Sequence, residues 1–240
     1  MKKLSCLAIT LIASASFIFF SCKSGKDKEP GENKTGDAET TINATAPPGP
    51  TSVLVIRHKV ADYAKWLPGY HAHDSVRIAN GLHSDIIARG IEDSNMVLVA
   101  MIMDDADKAK SMTADPALKD VMKKAGVISA PLIDYLQAEM NDTTALTQDI
   151  RLMIRAKVTH WDAWKKVFDA HKQKRIDAGL TDRVIAHTAG DTKNVTLVFA
   201  ASDMEKAKTF LNSDDLKERM KESGVEGAPD IFFYKVVKKY

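Results

Sequence analysis

Three side chains with useful chemistry occur twice at the same spacing: Trp66, His73 and Arg77, then Trp164, His171 and Arg175. At about 100° per residue, the step from Trp66 to His73 is a net turn of about 20° and that from His73 to Arg77 about 40°, so each triplet shares one helical stripe. With Tyr70 or Phe168 between them, the stripe is aromatic and apolar and should face a sheet. There an imidazole can accept a proton while the indole walls a pocket. His73 and His171 are therefore candidate catalytic bases, with Trp66, Trp164, Arg77 and Arg175 as binding residues. Arg57 and Arg155 on the preceding segments, and Asn95 and Asn194 further on, could orient a polar group. The bland alternative makes each Trp plain core, bonds each His to a backbone carbonyl, sets each Asn in a turn and bridges Arg77 to Asp74. Arg175 has no acidic residue three or four places away, so its partner must come from another element.

Other chemistries lack their residues. His71 and His73 stand two apart on a helix and point to different faces, and the second copy has Asp169 in place of His71, so no metal site is expected. No Ser-His-Asp order, phosphate-binding glycine loop or dinucleotide fingerprint is present. Basic and acidic residues number 34 and 32, and setting aside Lys2 and Lys3 leaves 32 against 32. That balance argues against nucleic acid as a partner.

The elements that would position these residues are written twice, 98 positions apart. The pairs include Ile56-Arg57 with Ile154-Arg155, Gly81-Leu82 with Gly179-Leu180, Asp105 with Asp203, Gly126-Val127 with Gly224-Val225, and Pro131 with Pro229. Pairing Asn95 with Asn194 requires a one-residue length difference that is later undone. In the first copy the alternation over residues 52–60 predicts a strand. Asp62 should cap a single helix running to Asn80, stopped by Gly81. Residues 82–91 and 96–103 read as strands joined by a polar turn, followed by short helices capped by Asp105 and Asp115 and a last strand over 132–138. In the second copy Thr159 with Asp162 suggests a capping box, and Ser213 takes the place of Asp115. The order strand, helix, strand, strand, helix, strand predicts two ferredoxin-like modules, residues 52–138 and 150–240, with a linker over 139–149. Met96, Met101, Met103, Met112 and Met122 fall on core positions, where they either fill space or line an adaptable cavity.

Such a module covers one face of its sheet with helices. Strands such as Val195-Thr196-Leu197-Val198-Phe199 are apolar on both faces, so the bare face needs a cover, and the other module's sheet is the simplest one. Element order and the Trp...His...Arg...Gly-Leu helix make the chain similar to the dimeric α+β barrel superfamily, and within it to the antibiotic-biosynthesis-monooxygenase type. The resemblance implies an α+β fold in which the two antiparallel sheets pack face to face within one chain. It also implies pockets between helix and sheet suited to oxidising phenols or degrading haem. No dedicated cofactor is expected, although haem held by His73 or His171 stays open.

The N-terminus has its own message. A basic head is followed by an apolar run over residues 4–20 and then by Ser21-Cys22. This resembles a bacterial lipoprotein signal, which implies cleavage after residue 21, acylation of Cys22 and a disordered tether over residues 22–51. A plain transmembrane anchor is the alternative. Lys23 after the cysteine implies the outer membrane of a bacterial cell envelope. Cys6 and Cys22 are the only cysteines, which leaves the mature fold with neither a disulfide nor a thiol nucleophile. The first functional expectation is a membrane-anchored binder of a small apolar or aromatic molecule. The second is a cofactor-independent monooxygenase acting on a phenolic or quinol-like substrate, and the third a structural or protein-interaction module. Cavity volume separates them, because the first two need space. Whether chains associate further is left open.

Overall fold

The computed structural model describes residues 51–240; the expected signal peptide, Cys22 and all of the expected tether except Thr51 lie outside the described residues. The first half comprises β1 (Thr51–Lys59), α1 (Tyr63–Ala72), α2 (Asp74–Ala79), β2 (Leu82–Gly90), β3 (Met96–Met103), α3 (Ala106–Ala114), α4 (Pro116–Lys124) and β4 (Leu132–Asn141). The second repeats it as β5 (Ile150–Val158), α5 (Trp161–Ala170), α6 (Lys172–Asp177), β6 (Leu180–Thr188), β7 (Asp191–Ala201), α7 (Met204–Leu211), α8 (Asp214–Glu222) and β8 (Val225–Lys239).

Each half is an antiparallel four-stranded sheet, and the two join into one closed barrel of order β1-β3-β2-β8-β5-β7-β6-β4. Closure depends on two strands that outrun their own sheets. β4 pairs with β1 through Ala138 and with β6 from Leu136 to Asn141. β8 pairs with β5 through Lys235 and with β2 from Tyr234 to Lys239. Residues 139–141, expected in the linker, are therefore strand, because the edge of β6 offers them hydrogen-bonding partners. No edge of the sheet is left unpaired, which removes a template for aggregation.

The pleat divides the apolar side chains into three cores. Leu54 and Ile56 of β1 pack with Trp66 under the first pair of helices, and Leu152 with Trp164 under the second pair. Val55, Leu98, Leu136, Met153 and Tyr234, on the opposite faces, meet inside the barrel. The two sheets face each other across this third core as expected.

Asp62, Asp105, Asp115, Asp203 and Ser213 all cap helices with their side chains. The box expected at Thr159 is absent; His160 occupies the N-cap of α5 without a side-chain hydrogen bond. The single helix expected over 62–80 is broken at His73 (φ −99°, ψ 13°), and its copy is broken at His171 (φ −95°, ψ 14°). Pro68 is not the common cause, since Lys166 stands at its position in the second half. At both breaks an arginine enters the hydrogen-bond ladder: Arg77 donates to the Tyr70 carbonyl and Arg175 to the Phe168 carbonyl.

The strand register also corrects the repeat. Lys59 faces Met96 and Lys157 faces Asn194, so Asn194 corresponds to Met96 rather than to Asn95. The turns agree, because the Asp93 carboxylate accepts from the Asn95 amide as that of Asp191 does from the Lys193 amide. The offset of 98 therefore holds through the hairpin without a gap.

A barrel that shares its central core between halves should unfold as one unit. The three tryptophans allow a direct check. Trp66→Phe leaves reporters only in the second half, and the Trp161→Phe/Trp164→Phe double variant leaves one only in the first. In urea each protein should give the same midpoint by fluorescence as by circular dichroism; two separated transitions would show that the halves fold independently.

Candidate functional site

Each half holds a cavity between its first helix pair and its sheet. The second-half cavity, about 110 Å³, is walled by Trp164, Phe168, Leu197, Phe199 and Met220, with His171 and Arg175 on its border. The first-half cavity, about 70 Å³, is walled by Trp66, Tyr70, Val99, Met101 and Met122, with His58, His73 and Arg77 on its border. The expected triplets are thus brought together, one to each cavity.

Their details differ in informative ways. The His171 Nδ1 lies 2.9 Å from the Val167 carbonyl oxygen, which can only accept, so Nδ1 carries a proton and the neutral ring keeps its lone pair on Nε2. The His73 ring bonds no other described residue. Arg175 is clamped: its guanidinium lies 3.6 Å over the Phe168 ring and donates two bonds to Asp182, at 2.8 and 2.7 Å. Arg77 sits the same way, 3.7 Å over Tyr70, but pairs with Asp74 at 3.0 Å. The acid has moved between copies. Lys172 replaces Asp74 in the second half, and Ser84, which hydrogen bonds to the Tyr70 hydroxyl at 2.9 Å, takes the place of Asp182 in the first. Both arginines pair with a carboxylate within the fold, whereas the His73 ring and the Nε2 of His171 have no partner among the described residues.

Arg57 and Arg155 do not join either cavity. The pleat turns them toward the barrel interior, where Arg57 and Arg155 both pair with Asp230, and Arg155 also bonds Asp134 at 2.7 Å. Burial outweighs Arg155's attraction and raises the Asp134 carboxyl above its usual range. Asn95 and Asn194 lie at the hairpin ends; the amide of Asn194 donates to Asp191 at 2.6 Å. None of these four residues touches the helix-sheet cavities.

One residue on the cavity wall was not singled out by sequence reasoning. His58, 3% exposed, packs beside Trp66 with ring centroids 5.6 Å apart, and neither ring nitrogen has a partner among the described residues. Burial pushes the imidazole from its ordinary 6.5 down to about 4. The signal was in the repeat, because Ala156 stands at the same place in the second half. A histidine in place of an alanine at the cavity wall is consistent with the smaller first-half space.

The sequence matches no family model and no curated protein sequence. Solved structures do resemble it. A candidate chlorite dismutase superposes with TM-score 0.54 at 13% identity, covering 79% of this chain and 95% of its own. An anthrone oxidase-like protein gives 0.52 at 13% identity, with 79% and 92% covered. The chain has the dimeric α+β barrel fold. A heme-binding protein from Thermus thermophilus superposes with TM-score 0.50 at 11% identity, again with 79% and 92% covered. At such identities the likeness is one of fold, and fold does not fix function. In this dimeric α+β barrel the helix-sheet cavities fall below the roughly 300–1,000 Å³ of ordinary ligand pockets, too little for a porphyrin, so neither the His73 nor the His171 cavity fits haem.

Two outcomes follow from the buried polar groups. Asp182 is 13% exposed against 47% for Asp74, so Asp182→Asn should cost about 3–5 kcal/mol by stranding a buried guanidinium. Asp74→Asn should cost about 1 kcal/mol or less, and urea titration compares the two directly. The His58 pKa is depressed in the folded state, so its neutral form contributes stability that is present above about pH 6.5 and lost as pH falls through about 4. His58→Leu should therefore flatten the pH dependence of stability across that window, by on the order of 2–3 kcal/mol in total. Denaturation midpoints between pH 7 and pH 4 provide the measurement.

Proposed function

We propose that the protein is a lipid-anchored protein of the bacterial envelope, held at the outer membrane through Cys22, whose second half binds a small, single-ring apolar molecule beneath α5. The observation that carries this reading is the cavity of about 110 Å³ in which an aromatic and aliphatic lining meets one basic nitrogen. A dry apolar cavity of roughly 150 Å³ accepts benzene, so a modest opening at Phe210, Leu216 and the flexible Met220 suffices for one ring. The free Nε2 of His171 favours a ligand carrying one hydroxyl donor. A phenol-like molecule meets both demands. In the first half, His58 occupies the corresponding wall and leaves about 70 Å³.

The same imidazole supports a second reading, cofactor-independent oxidation of a phenolic or quinol-like substrate by dioxygen, with Nε2 of His171 taking the hydroxyl proton. Trp164 and Phe168 would hold the ring beside it. This reading needs the same space and one step of chemistry more.

Calorimetry with p-cresol and the mature chain should give saturable binding that Ala156→Leu, which fills the cavity floor, abolishes. Undiminished binding in that variant would place the ligand elsewhere. Oxygen uptake on phenols and quinols that disappears in His171→Ala would favour the catalytic reading, and no uptake at all would leave simple binding. For the anchor, Cys22→Ser should move the protein from the membrane to the soluble fraction and end palmitate labelling.

A further inference from the structure

The barrel interior contains a space distinct from the two helix-sheet cavities. Its volume is about 270 Å³, close to the lower bound of roughly 300 Å³ for small-molecule sites. Val55, Leu98, Leu136, Met153 and Val198 make its walls apolar. At one end stand Arg151, Arg183 and Tyr234.

The charges at that end do not cancel. Arg183 is matched by Asp142 at 2.8 Å. Asp85 is raised by burial and attracted by Lys239. Arg151 has no carboxylate within ion-pairing distance among the described residues. Its Nη1 donates to the backbone carbonyls of Gln148 and Ile150, while Nε and Nη2 bond no other described residue. Burial disfavours its charge most and the neighbouring Arg183 adds to this, while Tyr234 and Asp149 offset part of the effect. A half-buried guanidinium with no carboxylate in contact is costly, and its planar fork suits a carboxylate. The opposite end of the barrel serves as an internal control, since Arg57 and Arg155 there are matched by Asp230 and Asp134. Repetition does not explain the surplus either. The positions of Arg151, Arg183 and Tyr234 are held in the first half by Val53, Asp85 and Leu136.

We propose that the barrel core is a second binding site, for a small carboxylate with an apolar body of one ring or a short branched chain. The carboxylate pairs with the free edge of Arg151 beside the Tyr234 phenol, and the apolar body lies against Met153 and Leu136. This site is separate from the one proposed under α5 and stands without it.

Benzoate is the probe, with benzyl alcohol and benzylamine as neutral and cationic counterparts, titrated into the mature chain carrying 13C-methyl methionine. The expected result is a saturable shift of the Met153 methyl with benzoate, with binding on the order of tenfold weaker or worse for the other two. Arg151→Gln should weaken benzoate by a similar factor while leaving p-cresol binding unchanged. If that variant does not fold, the Ala156→Leu protein decides, because closing the helix-sheet cavity should leave the benzoate shift at Met153 intact. The proposal is overturned if benzoate moves Met220 instead of Met153, if it moves neither, if Arg151→Gln binds benzoate as well as the parent, or if benzylamine binds better.

Discussion

The fold depends on one constraint: each sheet is apolar on both faces, and its own half supplies helices for only one of them. Leu54, Ile56 and Val60 find cover under the first helices, but Val55 and Leu98 on the reverse side have none within their half. Burying that face against its copy removes the remaining apolar surface from water, at roughly 25 cal/mol per Å². Face-to-face packing alone would leave four exposed edges. The overhang of β4 and β8 ties the sheets at both seams, so the same two strands that finish each half also bind it to the other. Placing both copies on one chain makes the association intramolecular, with no cost in translational freedom.

Once two copies share a core, each is free to change where the other still satisfies the fold. The arginine clamp shows how such changes come in linked sets. The guanidinium must stack on an aromatic ring and cap a broken helix in both halves, so Arg77 and Arg175 are kept, while the acid moves from helix to strand. When Asp182 takes the strand position, the residue across from it is Phe168, which needs no hydrogen bond. When Ser84 takes it, Tyr70 supplies a hydroxyl for the serine. The helix-sheet cavities diverge by the same logic, with His58 against Ala156 at one wall.

The large features of this fold were legible because they rest on periodicity and repetition. Apolar strands with two buried faces demanded a partner sheet, and the capping aspartates and Gly81 with Gly179 marked most helix limits. The helix break at His73 was not legible, because it comes from Arg77 reaching back to a carbonyl, a tertiary act that no local propensity encodes. Asn95 and Asn194 misled for a related reason: identical letters suggested a gap, whereas the ladder pairs strands by hydrogen bonding and keeps the offset constant. Placing Trp164, His171 and Arg175 together needed only helical spacing. Sending Arg57 and Arg155 to the other face of the sheet followed from strand alternation, which applied equally to Ile56 and His58 beside them.

Strand alternation also explains why the barrel has two unlike ends. The inward positions of β1 and β5 include Val53, Val55 and Arg57 in one copy and Arg151, Met153 and Arg155 in the other. A guanidinium at the third position of both strands brings two like charges to one end, and that is tolerable only because Asp230 and Asp134 interleave with them. At the other end, of these two strands only β5 carries an arginine, and the second guanidinium there, Arg183, comes from β6. There Asp142 pairs with Arg183, and Arg151, opposite Val53, is left with no carboxylate in contact among the described residues. The symmetric end therefore has its cations paired within the fold, while the asymmetric end keeps one guanidinium that no carboxylate among the described residues contacts.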